Sequence, residues 1–189
     1  MAPLTCEPQN TSREQRLITE TRNNLINLLN SQDKNGKNPC ADFFGGAANA
    51  VAALSAIPFL PGKLNDYKTG ISMNVPTGKV AAGQTYVTPG TATVNTIGGF
   101  YNTWYVDSKA SPVKSLSVPG FGTLGSNNNQ SRALQMLHEL GHVVITGTNP
   151  DGTPIFKLAL DGGNTALSEQ NTAAVEAACG DLIKAMIKN

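Results

Sequence analysis

The 189-residue chain is long enough for one domain with its own core, or at most two small lobes around a cleft, and a single domain over 1–189 is expected, with 1–11 as a loose N-terminus. Only 14% of residues are charged and the formal net charge is +1, so there is no field to recruit nucleic acid or an acidic membrane surface. No apolar run is long enough to cross a bilayer, and the opening MAPLTCEPQN lacks the charged start and apolar stretch of a secretion signal, which would already have been removed.

Ser12, followed three residues later by Gln15, has the capping-box spacing, and Leu17, Ile18, Leu25, Leu28 and Leu29 then recur at helical period to about Asn30. SQDKNGKNP breaks this first helix. Phe43, Phe44, Ala47, Ala48, Val51, Leu54 and Ile57 predict a second helix from about Cys40 until Pro58 and Pro61 stop it. From residue 63 to about 125 the signal changes to short β-branched and aromatic runs, GISMNV, QTYVTPG, TATVNTI and FYNTWYV, divided by Gly and Pro turns. These predict a small antiparallel or mixed sheet.

GFGTLGSNNNQS reads as a loop, and LQMLHELGHVVI, residues 134–145, as a helix with Asn129 or Ser131 available to cap it. A turn at TGTNPDGTP, a short strand within IFKLAL and a last helix from about Ser168, kinked or stopped at Gly180, complete the chain. Helices, a sheet and then a helix pair make an α+β domain.

Three cysteines, Cys6, Cys40 and Cys179, fit neither a dense disulfide scaffold nor a CxxC zinc knuckle. One disulfide with one spare thiol is the economical reading, and Cys40 with Cys179, both beside apolar helical patterns, is the expected pair. Three free thiols carry equal weight in a cytosolic protein. The polar character rests on Asn, Thr, Ser, Gln and Gly, a balance common in secreted microbial proteins, so a soluble, extracellular monomer is expected.

Both histidines of the chain fall in HELGH, four residues apart on one helical face, with Glu139 directly after the first. Residues so spaced stack one turn above the other, and two imidazoles can each give one nitrogen to Zn²⁺. Gly141 lies between His138 and His142 on their stripe, where any side chain would push a neighbouring element away. Glu139 projects about 100° around the helix from His138. From there it can reach a water on the metal without ligating, and act as general base and then acid. The competing reading is a buried helix whose histidines are satisfied by backbone carbonyls.

At these residues the chain resembles the zincin metallopeptidases, whose HExxH helix packs beneath a sheet. The succession of MLHELGH, the DGG of 161–163, the SEQNT of 168–172 and Cys179 also resembles uncharacterised secreted bacterial zincin-like domains. The resemblance implies a zincin-like domain with N-terminal helices, a small sheet, a buried HExxH helix and a C-terminal helix. It also implies a Zn²⁺ cofactor and a peptide or protein substrate. The HExxHxxGxxH form of the metzincins is absent, so the third ligand would be a downstream carboxylate: Asp161, where FKLAL meets a flexible DGG turn, ahead of Glu176 on the last helix and Glu169 near its start.

An oxyanion donor would have to be Tyr or Arg, with Tyr101 and Tyr105 as candidates and packing on the sheet as their other role. FYNTWYV could accept an extended peptide as an added strand if it is the edge nearest the cleft. Two functions follow: a zinc-dependent peptidase with Glu139 as general base, or a catalytically weak or inactive zincin-fold binding or structural domain that binds metal.

Overall fold

The computed structural model describes residues 12–32 and 36–186. Helix α1 (Arg13–Asn30) starts as expected, the Ser12 hydroxyl accepting a hydrogen bond from the Gln15 amide at 3.1 Å, and buries Ile18, Leu25, Leu28 and Leu29. Its final carbonyls need partners outside the helix. Ser31 serves Leu28 O through its amide and hydroxyl, and Asn38 donates to Leu28 O at 2.7 Å and Leu29 O at 3.1 Å, while its own carbonyl caps the next helix at the Ala41 amide.

The single helix expected over 40–57 is two, α2 (Pro39–Phe43) and α3 (Ala47–Ala56). Gly45 and Gly46 divide them at φ +84° and +95°, in the left-handed region that glycine adopts without strain. The apolar period runs across the break because both halves face the same core.

The one sheet expected over 63–125 is divided into two. β1 (Phe59–Gly62), β2 (Ile71–Ser72) and β3 (Ala92–Asn95) form a mixed sheet in the order β1-β3-β2, with β1 parallel and β2 antiparallel to the central strand. Pro61, read as a helix stop, sits in β1 at the sheet edge, where its missing N–H costs least. β4 (Trp104–Asp107) and β5 (Lys114–Ser117) make a separate antiparallel hairpin. QTYVTPG contributes only an isolated bridge between Tyr86 and Val144.

Helix α4 (Asn129–Val143) is buried almost all round, against α1, α3, β2 and the two later elements β7 (Pro154–Phe156) and α5 (Thr165–Ala185). Its cap is Asn128, one residue before the nearer expected candidate; the side chain accepts from the Ser131 amide at 2.8 Å. The helix also ends earlier than expected. Val143, Val144, Ile145 and Thr146 are β-branched, and β6 (Ile145–Thr148) takes over immediately, pairing antiparallel with β7. Helix α5 is capped by Asn164, so it starts three residues before the expected Ser168, and it passes through Gly180 without stopping.

The fold is therefore α+β, with a continuous hydrophobic cluster running from α1 to α5. Cys40 and Cys179 form the expected disulfide, tying α2 to α5 across 139 residues of sequence. Cys6 and the loose N-terminus over 1–11 lie outside the described residues. Among the described residues no helix is long and apolar enough to cross a membrane.

A cross-link closing so long a loop removes about 5 kcal/mol of denatured-state freedom in the chain-entropy model. Replacing both Cys40 and Cys179 with Ala is expected to lower the calorimetric midpoint by roughly 10 °C or more. An unchanged midpoint would mean the bridge contributes nothing to stability.

Candidate metal centre

Helix α4 carries His138 and His142 on adjacent turns, 2% and 5% exposed. The β6–β7 hairpin then reverses the chain and lays it back on the end of the same helix, the Lys157 amide donating to Val144 O at 2.8 Å and Leu158 to Gly141 O at 2.9 Å. Three residues further on, Asp161 arrives over the histidines. A tight turn, closed by the Asn164 amide on Asp161 O at 2.8 Å, leads straight into α5.

Gly141 permits this return. A Cβ there would stand 2.3 Å from Cδ1 and 2.4 Å from Cγ of Leu158, which is itself buried. The expectation that a side chain at 141 would push a neighbour away thus has a named neighbour.

Three ligand atoms meet at this point. Nε2 of His138 lies 2.9 Å from Oδ2 of Asp161 and 3.0 Å from Nε2 of His142, and the third edge, His142 Nε2 to Asp161 Oδ2, is 3.5 Å. Donors around a four-coordinate zinc stand about 3.3 Å apart, given bonds of about 2.0 to 2.1 Å. The triangle is of that size.

The opposite ring nitrogens show which atoms carry protons. The Thr172 hydroxyl donates to Ser168 O at 2.8 Å, so it accepts from Nδ1–H of His138 at 3.0 Å. Leu158 O can only accept, so Nδ1 of His142, 3.4 Å away, carries its proton too. Both Nε2 atoms therefore present lone pairs to each other and to a carboxylate oxygen. One proton could relieve one edge of the triangle; a cation relieves all three.

The carboxylate is oriented in turn. The Asn171 side-chain amide donates to Oδ1 of Asp161 and also to Ala159 O at 2.8 Å. Burial pushes the Asp161 pKa up, yet the Ser168 hydroxyl and His138 outweigh it and hold the group below the usual carboxylate range. His138 is driven down to about 4, by burial first and by His142 second, and burial lowers His142 as well. Both rings are thus neutral, as metal ligation requires.

Glu139, half-buried beside them, takes no hydrogen bond among the described residues. Burial and then the charge of Asp161 push its pKa up to about 8.

Of the three downstream carboxylates weighed from the sequence, the structure brings Asp161 to the histidines and takes the others elsewhere. Glu176 binds the amide and hydroxyl of Thr123, both at 2.8 Å, and Glu169 is exposed on α5. Among the described residues His138, His142 and Asp161 are the one His/Cys/Asp/Glu group able to hold a metal.

Neither tyrosine is in this cluster. Tyr101 donates to Glu14 O at 3.3 Å beside α1, its own pKa pushed up by burial, and Tyr105 stacks on Tyr67 at 4.9 Å. Sequence reasoning noted SEQNT over 168–172 but gave no site role to Ser168, Asn171 or Thr172, and it missed Leu158 and Phe121, whose ring meets that of His138 edge-on at 5.4 Å. The signal available was the polar set 168, 171, 172, continuing the buried stripe of Val175 and Cys179 down one face of α5.

Two outcomes test this geometry. Gly141→Ala gains about 1 kcal/mol of helix propensity but overpacks Leu158 at a cost of about 1 to 3 kcal/mol, so urea denaturation should show a net loss. Glu139 has a folded pKa of about 8 against an ordinary 4.5, so the unfolded chain loses this proton first and the contribution to stability falls as pH rises across that window. Chelator-treated wild type should accordingly lose stability relative to Glu139→Gln between those pH values; parallel curves would contradict the placement of Glu139.

Compared with models of known families, with characterised proteins and with solved structures, the chain matches none, and its functional reading rests on the geometry of the site.

Proposed function

We propose that this protein is a secreted, zinc-dependent peptidase of zincin-like design. The observation that carries the reading is the convergence of two proton-free imidazole nitrogens and one carboxylate oxygen. Two imidazoles and a carboxylate suit zinc, and a three-residue donor set leaves a fourth position open, as catalytic sites do. His138, His142 and Asp161 would hold the ion. When bound there, zinc supplies a Lewis acid that polarises a carbonyl and brings the pKa of water to about 7.

The chain's own residues do the rest. Thr172 and the Leu158 carbonyl fix the ring tautomers, and Asn171 holds the Asp161 carboxylate, so the donors need not rearrange on binding. Glu139 is the general base. Burial and Asp161 raise this carboxyl to about 8, and a dication held beside it would lower it again and favour the carboxylate. It can take a proton from the attacking water and return it to the leaving amine of a peptide or protein substrate. The Cys40–Cys179 disulfide supports an oxidising, extracellular setting.

One observation favours a second reading. Tyr101 and Tyr105, the residues expected to steady a developing oxyanion, are engaged at Glu14 O and Tyr67. A zincin-like domain that binds metal for structure or partner binding needs no such donor.

Metal analysis and cleavage of an unfolded protein substrate decide between the readings. Wild type should hold about one zinc per chain and cleave. Glu139→Gln should keep the metal and lose activity by at least the 10² to 10⁴ that a general base contributes. Wild type that holds zinc and cleaves nothing supports the second reading; wild type that holds no metal ends both.

A further inference from the structure

We propose that Glu176 is a positioning residue of the metal centre: through the turn at residues 120–125 it presses Phe121 against the ring of His138. This rests on the metal-binding reading above and assigns a role to the carboxylate that the sequence had offered as a ligand.

The connection is continuous. Oε1 of Glu176 accepts from both the amide and the hydroxyl of Thr123 at 2.8 Å. The turn it grips is closed on itself, Phe121 N donating to Leu124 O at 3.0 Å and Leu124 N to Phe121 O at 3.1 Å. Between them Gly122 has φ +59°, and a Cβ there would come within 2.6 to 2.9 Å of the Glu176 carboxylate, so the carboxylate lies directly against the backbone of the turn.

Phe121 leaves this turn to meet His138 edge-on, ring centres 5.4 Å apart and planes at 81°. Glu176 stands four residues beyond Thr172 on α5, so the two project from the same face on successive turns. Thr172 anchors Nδ1 of His138 by a hydrogen bond, and Glu176 through Phe121 restrains the ring itself. One helix thus fixes the histidine in two ways, leaving Nε2 aimed at Asp161 and His142.

The test is zinc affinity, measured by competition with a chelator on the full chain. Glu176→Ala and Phe121→Ala should each weaken binding by about tenfold, the low end for residues that orient a ligand. The double variant should be no weaker than Phe121→Ala alone, since both act on one ring. Glu176→Gln keeps an acceptor for Thr123 and should bind as wild type does, which separates anchoring from charge. Thr123→Val, on an exposed residue that cannot unfold the core, should show a smaller loss in the same direction. In each weakened variant the His138 ring protons should also shift in the NMR spectrum as the aromatic neighbour moves.

Additive losses in the double variant would show that Glu176 does not act through Phe121 and would overturn the proposal, as would Glu176→Ala or Phe121→Ala that binds zinc like wild type. Wild type that takes up no zinc would fail at the first measurement and bring down the metal reading itself.

Discussion

Three acceptor atoms facing one another in the interior are the constraint around which this molecule is arranged. Two imidazole lone pairs and a carboxylate oxygen within 3.5 Å of each other repel, and the low dielectric around two buried rings makes that repulsion stronger than it would be in water. Nothing in the hydrophobic core requires the arrangement. It persists because hydrogen bonds behind each donor hold it: Thr172 behind His138, the Leu158 carbonyl behind His142, Asn171 behind Asp161. A helix, a hairpin and a second helix each supply one part, and a cation in the middle would turn the mutual repulsion into a shared attraction.

The helix bearing the histidines was legible because two independent patterns coincide there. Apolar residues at helical period surround a chain's only two histidines, and burial, spacing and chemistry agree. Asp161 could be nominated but not separated from Glu176 and Glu169, since the choice depends on where the chain reverses after the helix. Val143 to Ile145 continues the helical stripe as well as it opens a strand, so the hairpin that delivers Asp161 has no periodic signature. The helix over 40–57 was misread for the converse reason: Gly45 and Gly46 break the backbone without breaking the apolar period.

Ser168 shows a subtler limit. The last helix was expected from about Ser168, where a hydroxyl suits a helix start, and in the structure that hydroxyl helps lower the Asp161 pKa instead. Polar residues at the start of a helix look alike in sequence whether they satisfy the helix or the site beside it. Here both happen within four residues, Asn164 capping α5 at the Leu167 amide and Ser168 lowering the pKa of Asp161. Only the position of the hairpin decides which is which. Asn128, displacing the nearer candidate Asn129 at the start of α4, is the same ambiguity at a spacing of one residue.

Helix α5 joins stability to site chemistry in a way neither pattern alone reveals. Its first turns carry Ser168, Asn171 and Thr172 toward the donors, while Val175, Cys179 and Ile183 bury the rest of that face and bond it to α2. Thr172 and Cys179 are seven residues apart, about 10 Å along a rigid helix. A helix fixed by a covalent bond at one point and packed along its length has little freedom to swing at the other, so the anchor at Cys179 limits the movement of the Thr172 hydroxyl. Gly141 solves the matching problem from the other side, giving up about 1 kcal/mol of helix propensity so that Leu158 can pack against α4 and place its carbonyl behind His142. The hydrogen bonds behind the donors therefore start from groups that packing and the disulfide already hold in place, and preorganisation of the site comes from the two together.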